Sequence, residues 1–587
     1  MRDILKQIWR FLRIAASGPG KWVSLLLLVF VIGCQYAAIQ VTVRSIQWYA
    51  DFYNALQKLD VPVITGQIGV FFALAGASAA LYLVGRYARK VLQIRWRRRL
   101  TDTLVDGWLA NKAYWLLSPP LVERAIDNPD QRIAEDCNLF CEFILGRDEG
   151  LRSGVLDFVM KLVGLYTYAT LLWQLSTFTL SFNAFGIDVE IPKYMFWLAP
   201  VYVAIAVGLT HALGRPLSGR LAEEQKREAD FRSALIHVRE NAPAIALLRG
   251  EAAERHLLSG GFEQVARIWY QVIRREFIFG LFQRPYFQTV LRIPIFIALP
   301  GFLAGKVTLG GLMQLANSFQ QVVTDLSWFV FNYKFLADLV ATTRRMQRFL
   351  DAAQSVPADP ANVVRPAPAG DELRVGNLTL RAPDNRVLLK INDLTIRRGQ
   401  TVWLSGASGL GKSTLFKTLA GLWPYASGKL ELPAGRLCFL PQQVYLPLVS
   451  LGAAAIYPAL PDSLPRPEIE DLLRKVGLGH RLGAEADTAG GLSVGEQQRL
   501  ALARVLAAKP DWVFLDEATS ALDLDSERKL MTLLRTEMPD ATFILVAHRE
   551  PQGLSNVVRI ELPEASVDTV TPAAEGIVQG NLALRMG

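Results

Sequence analysis

Cysteine and histidine are scarce, with four and five among 587 residues. Cys34, Cys137, Cys141 and Cys438 cannot build a disulfide framework for a chain this long. Cys137 and Cys141 share a helical face, but no histidine completes a metal set, so both read as reduced structural thiols. A targeting signal is missing too: the first long apolar run, Trp22 to Val43, exceeds the core of a signal peptide. Nor is there an acid, base and nucleophile set of the kind a lipid-modifying membrane enzyme needs. What the chain has in quantity is apolar surface. Hydrophobic residues reach 51% and mean hydropathy +0.23, above the usual soluble domain, so membrane spans are the first thing to seek. At 587 residues several domains are expected. The net charge of +9 fits nucleic acid or anionic lipid, and its placement has to decide.

Residues 1–20 open with an amphipathic pattern. Ile4, Leu5, Ile8, Phe11 and Leu12 fall on one helical face, with Arg2, Lys6, Arg10 and Arg13 elsewhere, which predicts an interfacial helix on the bilayer. Trp22–Val43 is long enough for a transmembrane helix. Further spans are expected near Val63–Val84, Val155–Leu175, Tyr194–Leu213, Ile278–Leu303 and Leu309–Leu339. Cations crowd the ends on one side: "RYARKVLQIRWRRRL" after the second span, and Arg215, Arg220, Lys226 and Arg227 after the fourth. The positive-inside rule then puts both termini in the cytoplasm with six crossings over residues 21–350. These basic runs hug membrane ends, so anionic headgroups rather than nucleic acid are the nearer partner.

In the sixth expected span Gln314, Asn317, Gln321, Thr324, Asp325 and Trp328 recur at steps of three or four on an otherwise apolar helix. Polar groups facing lipid are costly, so the stripe is expected to line a water-filled cavity for hydrophilic cargo. The alternative is interhelical hydrogen bonding or a cytosolic extension. Arg292, mid-way along the fifth span, and Asp157 with Lys161, an i,i+4 pair, are candidates to join the cavity.

Residues 351–371, rich in Pro and Ala, read as a linker, and 372–566 change texture to alternating strands and helices, with 567–587 as a tail. The strand "TVWLS" runs into Gly406, Ala407, Ser408, Gly409, Leu410, Gly411, Lys412, Ser413 and Thr414, which fits G-x-x-x-x-G-K-[ST]. Glycines let successive N–H groups close around phosphates at a helix start; Lys412 supplies charge to the β- and γ-phosphates and Ser413 a Mg²⁺ ligand. The apolar strand Trp512–Leu515 ends in two carboxylates: Asp516, placed to hold Mg²⁺ through water, and Glu517, placed to polarise the attacking water. "FILVAHRE" ends a strand at His548, within reach of a γ-phosphate; His211, His237, His256 and His480 have no such setting.

The order P-loop, "PQQ", "LSVGEQQR", "FLDEATSALD", "AHR" resembles the ATP-binding cassette family over about 200 residues. The resemblance implies an α-helical six-span transmembrane domain plus an α/β P-loop ATP-binding cassette, with ATP and Mg²⁺ as cofactors. It implies that Ser493 and Gly495 of the signature cap the γ-phosphate of ATP on a facing domain. It also makes Gln442 the Mg²⁺ and coupling glutamine, and Asp523 the aspartate of the inter-domain loop. One cassette per chain then calls for a two-fold homodimer, or a heterodimer with a related half-transporter. The family often stacks an aromatic on adenine; near Ala382, where it belongs, there is none.

"IRWRRRLTDTLVDGWLANKAYW", "IDNPDQRIAEDCNLF" and "RENAPAIALLRGEAAE" look like the clade of peroxisomal fatty-acyl transporters and SbmA/BacA-like bacterial proteins. That implies an exporter-type fold with helices reaching into the cytosol, where the second and third stretches would couple to cassettes. It favours an ATP-driven transporter of peptides or cobalamin-like cargo, working as an importer in the bacterial inner membrane, with fatty acyl cargo as the alternative. A regulatory cassette ATPase that transports nothing is the reading from another class.

Overall fold

The computed structural model describes residues 2–118, 121, 128–146, 154–177, 179–184, 187–303, 305–332, 334–357, 362–365, 370–482 and 491–563. The expected tail, 567–587, lies outside the described residues, as do 358–361 and 366–369 of the expected linker. Two compact units form: Met1–Asp106 with Asn128–Leu350, and Gly107–Asp127 with Asp351–Gly587.

In chain order the helices up to residue 355 are α1 (Arg2–Ala16), α2 (Lys21–Lys58), α3 (Val61–Leu109), α4 (Ala113–Leu116), α5 (Pro129–Gln131), α6 (Cys137–Leu145), α7 (Val155–Leu175), α8 (Tyr194–Glu240), α9 (Ala242–Leu248), α10 (Glu251–Leu303), α11 (Leu309–Asn332) and α12 (Lys334–Ser355). An antiparallel hairpin, β1 (Thr179–Ala184) and β2 (Ile187–Pro192), follows α7. The apolar content of α2 and α7 and the lack of internal proline suit long helices. α8 and α10 carry Pro200, Pro216, Pro285, Pro294 and Pro300 inside, which membrane helices tolerate when neighbours satisfy the freed backbone groups.

Among the described residues three helical segments are long and apolar enough to cross a membrane: Lys21–Lys58, Val61–Leu116 and Val155–Leu175. The fourth and fifth expected spans correspond to shorter apolar stretches, Tyr194–Leu209 and Arg292–Leu303, of helices that continue into charged sequence. The sixth, α11, is diluted by its own polar stripe. The Arg292 side chain is exposed on the single chain.

The second unit is α/β: β3 (Asn362–Val364), β4 (Glu372–Arg381), β5 (Val387–Arg397), β6 (Thr401–Ser405), α13 (Lys412–Leu419), β7 (Ala426–Glu431), β8 (Leu437–Leu440), α14 (Leu451–Ile456), α15 (Arg466–Lys475), α16 (Val494–Ala508), β9 (Trp512–Asp516), α17 (Leu524–Glu537), β10 (Thr542–Val546) and β11 (Val557–Glu561). One sheet is parallel throughout, in the order β11-β6-β10-β9-β8. β9 and β10 are buried along their whole length, as their unbroken apolar runs require of strands covered on both faces. A second sheet, β3-β7-β4-β5, packs on one side through Leu378, Leu389, Leu404, Phe416 and Phe514. The helices α14 to α17 cover the other side around Leu500, Leu515, Met531 and Phe543. Parallel strands bring their carboxyl ends to one edge, and loops there hold the residues that matter below.

Candidate functional site

β6 delivers the phosphate loop, and α13 begins at its end. Gly406, Gly409 and Gly411 have φ of 155°, 81° and 94°, the left-handed backbone that lets a loop turn its N–H groups inward. A Cβ on Gly411 would also sit 3.3 Å from that of Leu388. Ala407, Ser408 and Leu410 complete the loop, and Lys412, Ser413 and Thr414 form the first turn of α13. Lys412 is 8% exposed, and its ammonium donates to the Gly406 and Ala407 carbonyls at 2.8 Å each.

From the end of β9, Asp516 accepts a 3.0 Å hydrogen bond from the Ser413 hydroxyl. Burial pushes the Asp516 carboxyl above its usual range, with Ser413 pulling it back and Glu517 adding to the rise. Glu517, turned by a φ of 50°, accepts 2.7 Å from the Gln442 amide and lies 2.9 Å from His548 Nε2. Two predicted residues from two strand ends, Gln442 and His548, thus meet on the carboxylate that a third strand end supplies. The donors suit a hard divalent cation: the Ser413 hydroxyl, the Asp516 carboxylate and the Gln442 amide oxygen, left free while its nitrogen donates. Among the described residues no group of three or more His, Cys, Asp or Glu could hold a metal, so phosphate oxygens would have to complete the shell.

The signature heads α16. Ser493 is its N-cap, accepting from the Glu496 N–H at 3.3 Å, while Glu496 takes the Ser493 N–H at 2.8 Å and its hydroxyl at 3.0 Å. Gly495 packs near the Ala521 carbonyl, where a Cβ would be 3.4 Å away. Arg481 grips the Glu496 carboxylate with two 2.9 Å bonds and His480 adds Nε2 at 3.1 Å. Together they hold that carboxyl far below its ordinary range, Arg481 foremost. His480, which has no setting in the sequence, is thus a brace of the signature. Asp523 caps α17 by accepting the Ser526 N–H at 2.9 Å. The turn at Ala382, closed by Ala382 N–H to the Arg386 carbonyl at 2.8 Å, carries Pro383, Asp384 and Asn385 and no aromatic.

In the first unit α11 packs against α2, α7, α8 and α10. Asp157 and Lys161 do not pair with each other. Asp157 takes Arg89 of α3 at 3.1 Å, and Lys161 takes Asp325 of α11 at 2.8 Å, because successive turns of α7 face different helices. Asp325 is 2% exposed. Gln314 and Gln321 are half-buried, and Asn317 donates to the Met313 carbonyl of its own helix at 2.8 Å. Part of the polar stripe is therefore committed inside the protein.

Sequence reading also missed residues 107–118 and Leu121, which pack in the second unit. Trp115 Nε1 donates to the Leu422 carbonyl at 2.9 Å, Lys112 to that of Ala420 at 3.2 Å, and the Tyr425 hydroxyl to that of Leu121. The Leu422 and Ala420 carbonyls and Tyr425 follow α13, so this segment meets the end of the helix whose start forms the phosphate loop. The two stretches expected to couple lie in the first unit where described, with Leu247 and Leu248 of α9 exposed at 86% and 82%.

Residues 12–300 match the family described as ABC transporter transmembrane region 2, and 389–520 the family described as ABC transporter. The chain is 32% identical to the inner membrane ABC transporter ATP-binding protein YddA of Escherichia coli, over 90% of this chain and 92% of that protein. It is 26% identical to ATP-binding cassette sub-family D member 3 of Homo sapiens, over 79% and 73%. It is 25% identical to the lysosomal cobalamin transporter ABCD4 of Mus musculus, over 93% of each.

Proposed function

Because the chain belongs to the ABC transporter family, as a half-transporter whose ATPase is coupled to transport, we propose that two copies assemble into a homodimer with two competent ATP sites. The carrying observation is the convergence of Gln442 and His548 on Glu517 in a cassette whose signature is also intact. Each site would join the phosphate loop of one copy to Ser493 and Gly495 of the other. On nucleotide binding Lys412 exchanges two loop carbonyls for phosphate oxygens. Ser493 releases Glu496 to donate to the partner's γ-phosphate. Glu517 accepts the proton of the attacking water, while His548 and Gln442 fix its orientation. Ser413, Asp516 and Gln442 would hold Mg²⁺, which neutralises phosphate charge when bound.

Six spans, a bacterial inner-membrane location with cytoplasmic termini, and import of bulky hydrophilic cargo complete the reading. The half-buried Gln314 and Gln321 favour hydrophilic cargo, and the mouse relative is named as a cobalamin transporter. The named sub-family D relatives keep fatty acid or acyl-CoA cargo as the second reading. Purified protein in liposomes, given labelled peptide, cobalamin or acyl-CoA with and without ATP, tests both. ATP-dependent movement of acyl-CoA alone overturns the hydrophilic reading. ATPase at full rate from a protein that stays monomeric in mass measurement overturns the composite site.

A further inference from the structure

α1 and α2 meet at a corner, Gly18-Pro19-Gly20, that sits on two arginines of α3. Arg95 donates to the Gly20 carbonyl at 3.4 Å and to the Ser24 hydroxyl at 3.5 Å; Arg99, one turn on, donates to the Pro19 carbonyl at 3.5 Å. The seat is shaped for those guanidinium groups. A Cβ on Gly18 would lie 2.6 Å from Arg99 Cζ, and one on Gly20 would lie 2.3 Å from Arg95 Nη2. Both glycines also have left-handed φ, 88° and 81°. Long bonds to neutral acceptors leave most of the ten guanidinium N–H donors unused. Among the described residues neither arginine has a carboxylate partner within ion-pair distance, whereas Arg89 on the same helix does.

The surroundings place this pair at a membrane surface. α2 starts with Trp22, Val23, Leu25 and Leu26 at 72%, 49%, 50% and 67% exposure. Lys21 lies 5.5 Å over the Trp22 ring, the aromatic and cationic pairing of an interfacial anchor. On α1, Phe11 and Ala15 are buried in the protein, which leaves Leu5 and Trp9 outward at 59% and 69%. α2 also begins without a side-chain cap, so its first turn adds positive field at the same spot. Two cations spaced i,i+4, short of anionic partners, beside the first exposed apolar turn of a membrane helix, fit one occupant. That occupant must carry negative charge at the headgroup level and acyl chains beside Trp22.

We propose that the Gly18–Gly20 corner with Arg95 and Arg99 is a binding site for the phosphodiester headgroup of an anionic glycerophospholipid. The lipid ties the interfacial helix to the first span. This site is independent of the cargo and of the ATP chemistry. Full-length protein is placed in nanodiscs mixing phosphatidylcholine and phosphatidylglycerol, and the lipids it retains are counted by native mass spectrometry. The wild type should keep phosphatidylglycerol in preference. Arg95→Gln and Arg99→Gln should each weaken that preference roughly five-fold, the worth of one cation at an anionic surface, while Arg232→Gln, on an exposed part of α8, should not change it. In the wild type, which needs no substitution to fold, a phosphatidylglycerol with a photoreactive headgroup should cross-link within residues 17–24 or 95–99. An undiminished preference in the double variant, or cross-links elsewhere, overturns the site. Equal protection from cross-linking by inorganic phosphate makes it a general anion site and overturns the lipid assignment.

Discussion

Glu517 in the cassette and Asp325 in the membrane unit are both screened from solvent, at 14% and 2% side-chain exposure. Their partners differ in kind. Glu517 is held by an amide and an imidazole, and its neighbour Asp516 by a hydroxyl. Asp325 and Asp157 are closed by an ammonium and a guanidinium. In the cassette the site opens to water, and nucleotide and metal can supply cations, so weakly held carboxylates remain available for work. Inside a helical bundle with no such supply, an ionised carboxylate needs a fixed counter-charge. The two units therefore respond differently when one partner is taken away: the cassette loses chemistry and the membrane unit loses stability.

The largest expected effect is at Glu517. Glu517→Gln keeps the shape and the hydrogen-bonding positions but removes the base, so steady-state ATP hydrolysis should fall by about 10²- to 10⁴-fold. The melting temperature of the nucleotide-free protein should stay within about 1 °C, as for a substitution outside the packed core. An ATPase assay beside a thermal melt reads both. A variant that hydrolyses normally removes Glu517 from the mechanism; one that hydrolyses poorly because it melts early removes the contrast with the membrane unit.

Next comes Lys161→Met. It leaves Asp325 buried with no counter-charge, a change that typically costs about 3–5 kcal/mol; the partial exposure of Lys161 favours the lower end. The melt in detergent should drop by several degrees, and Lys161→Met with Asp325→Leu should recover most of the loss. If the single variant is as stable as the wild type, the pair is not a structural closure and Asp325 faces water. Cargo-dependent ATPase in the double variant then separates a structural pair from a cargo contact.

How legible these features are in the sequence follows from how local they are. The phosphate loop, Asp516, Glu517, Gln442 and His548 occupy strand ends, where a short run fixes both backbone geometry and side-chain type. Helix-to-helix ion pairs have no such run. Lys161 and Asp325 are 164 residues apart, and the i,i+4 spacing of Asp157 and Lys161 pointed to a pairing that α7 does not make. Span boundaries are hard to read for a related reason. α8 and α10 are 47 and 53 residues long, and each joins an apolar stretch to a charged one, so no sequence signal marks where the membrane part stops. Trp115 and Leu121 fall inside residues 21–350, expected as the transmembrane domain with its helix extensions, and only packing reveals them against the cassette.

The smallest expected effect concerns Asp516 and sharpens the contrast within the cassette. Burial raises its folded pKa above the unfolded value. The folded, nucleotide-free protein thus holds this proton more tightly than the unfolded chain. The group favours folding at acidic pH, and that stabilisation is lost as pH rises from the ordinary aspartate range through the raised folded value. Above that window the carboxylate is ionised with the Ser413 hydroxyl bonded to it and the Lys417 and Lys412 ammoniums acting only through space, and a divalent cation with nucleotide has most to offer. The rise in melting temperature on adding Mg²⁺ and a non-hydrolysable ATP analogue, relative to the analogue alone, should therefore be greater at neutral than at mildly acidic pH. Asp516→Asn should flatten that dependence and melt no lower than the wild type when nucleotide-free. A flat pH response in the wild type would mean that Asp516 already has its counter-charge in the folded chain, and the cassette would then close this carboxylate as the membrane unit closes Asp325.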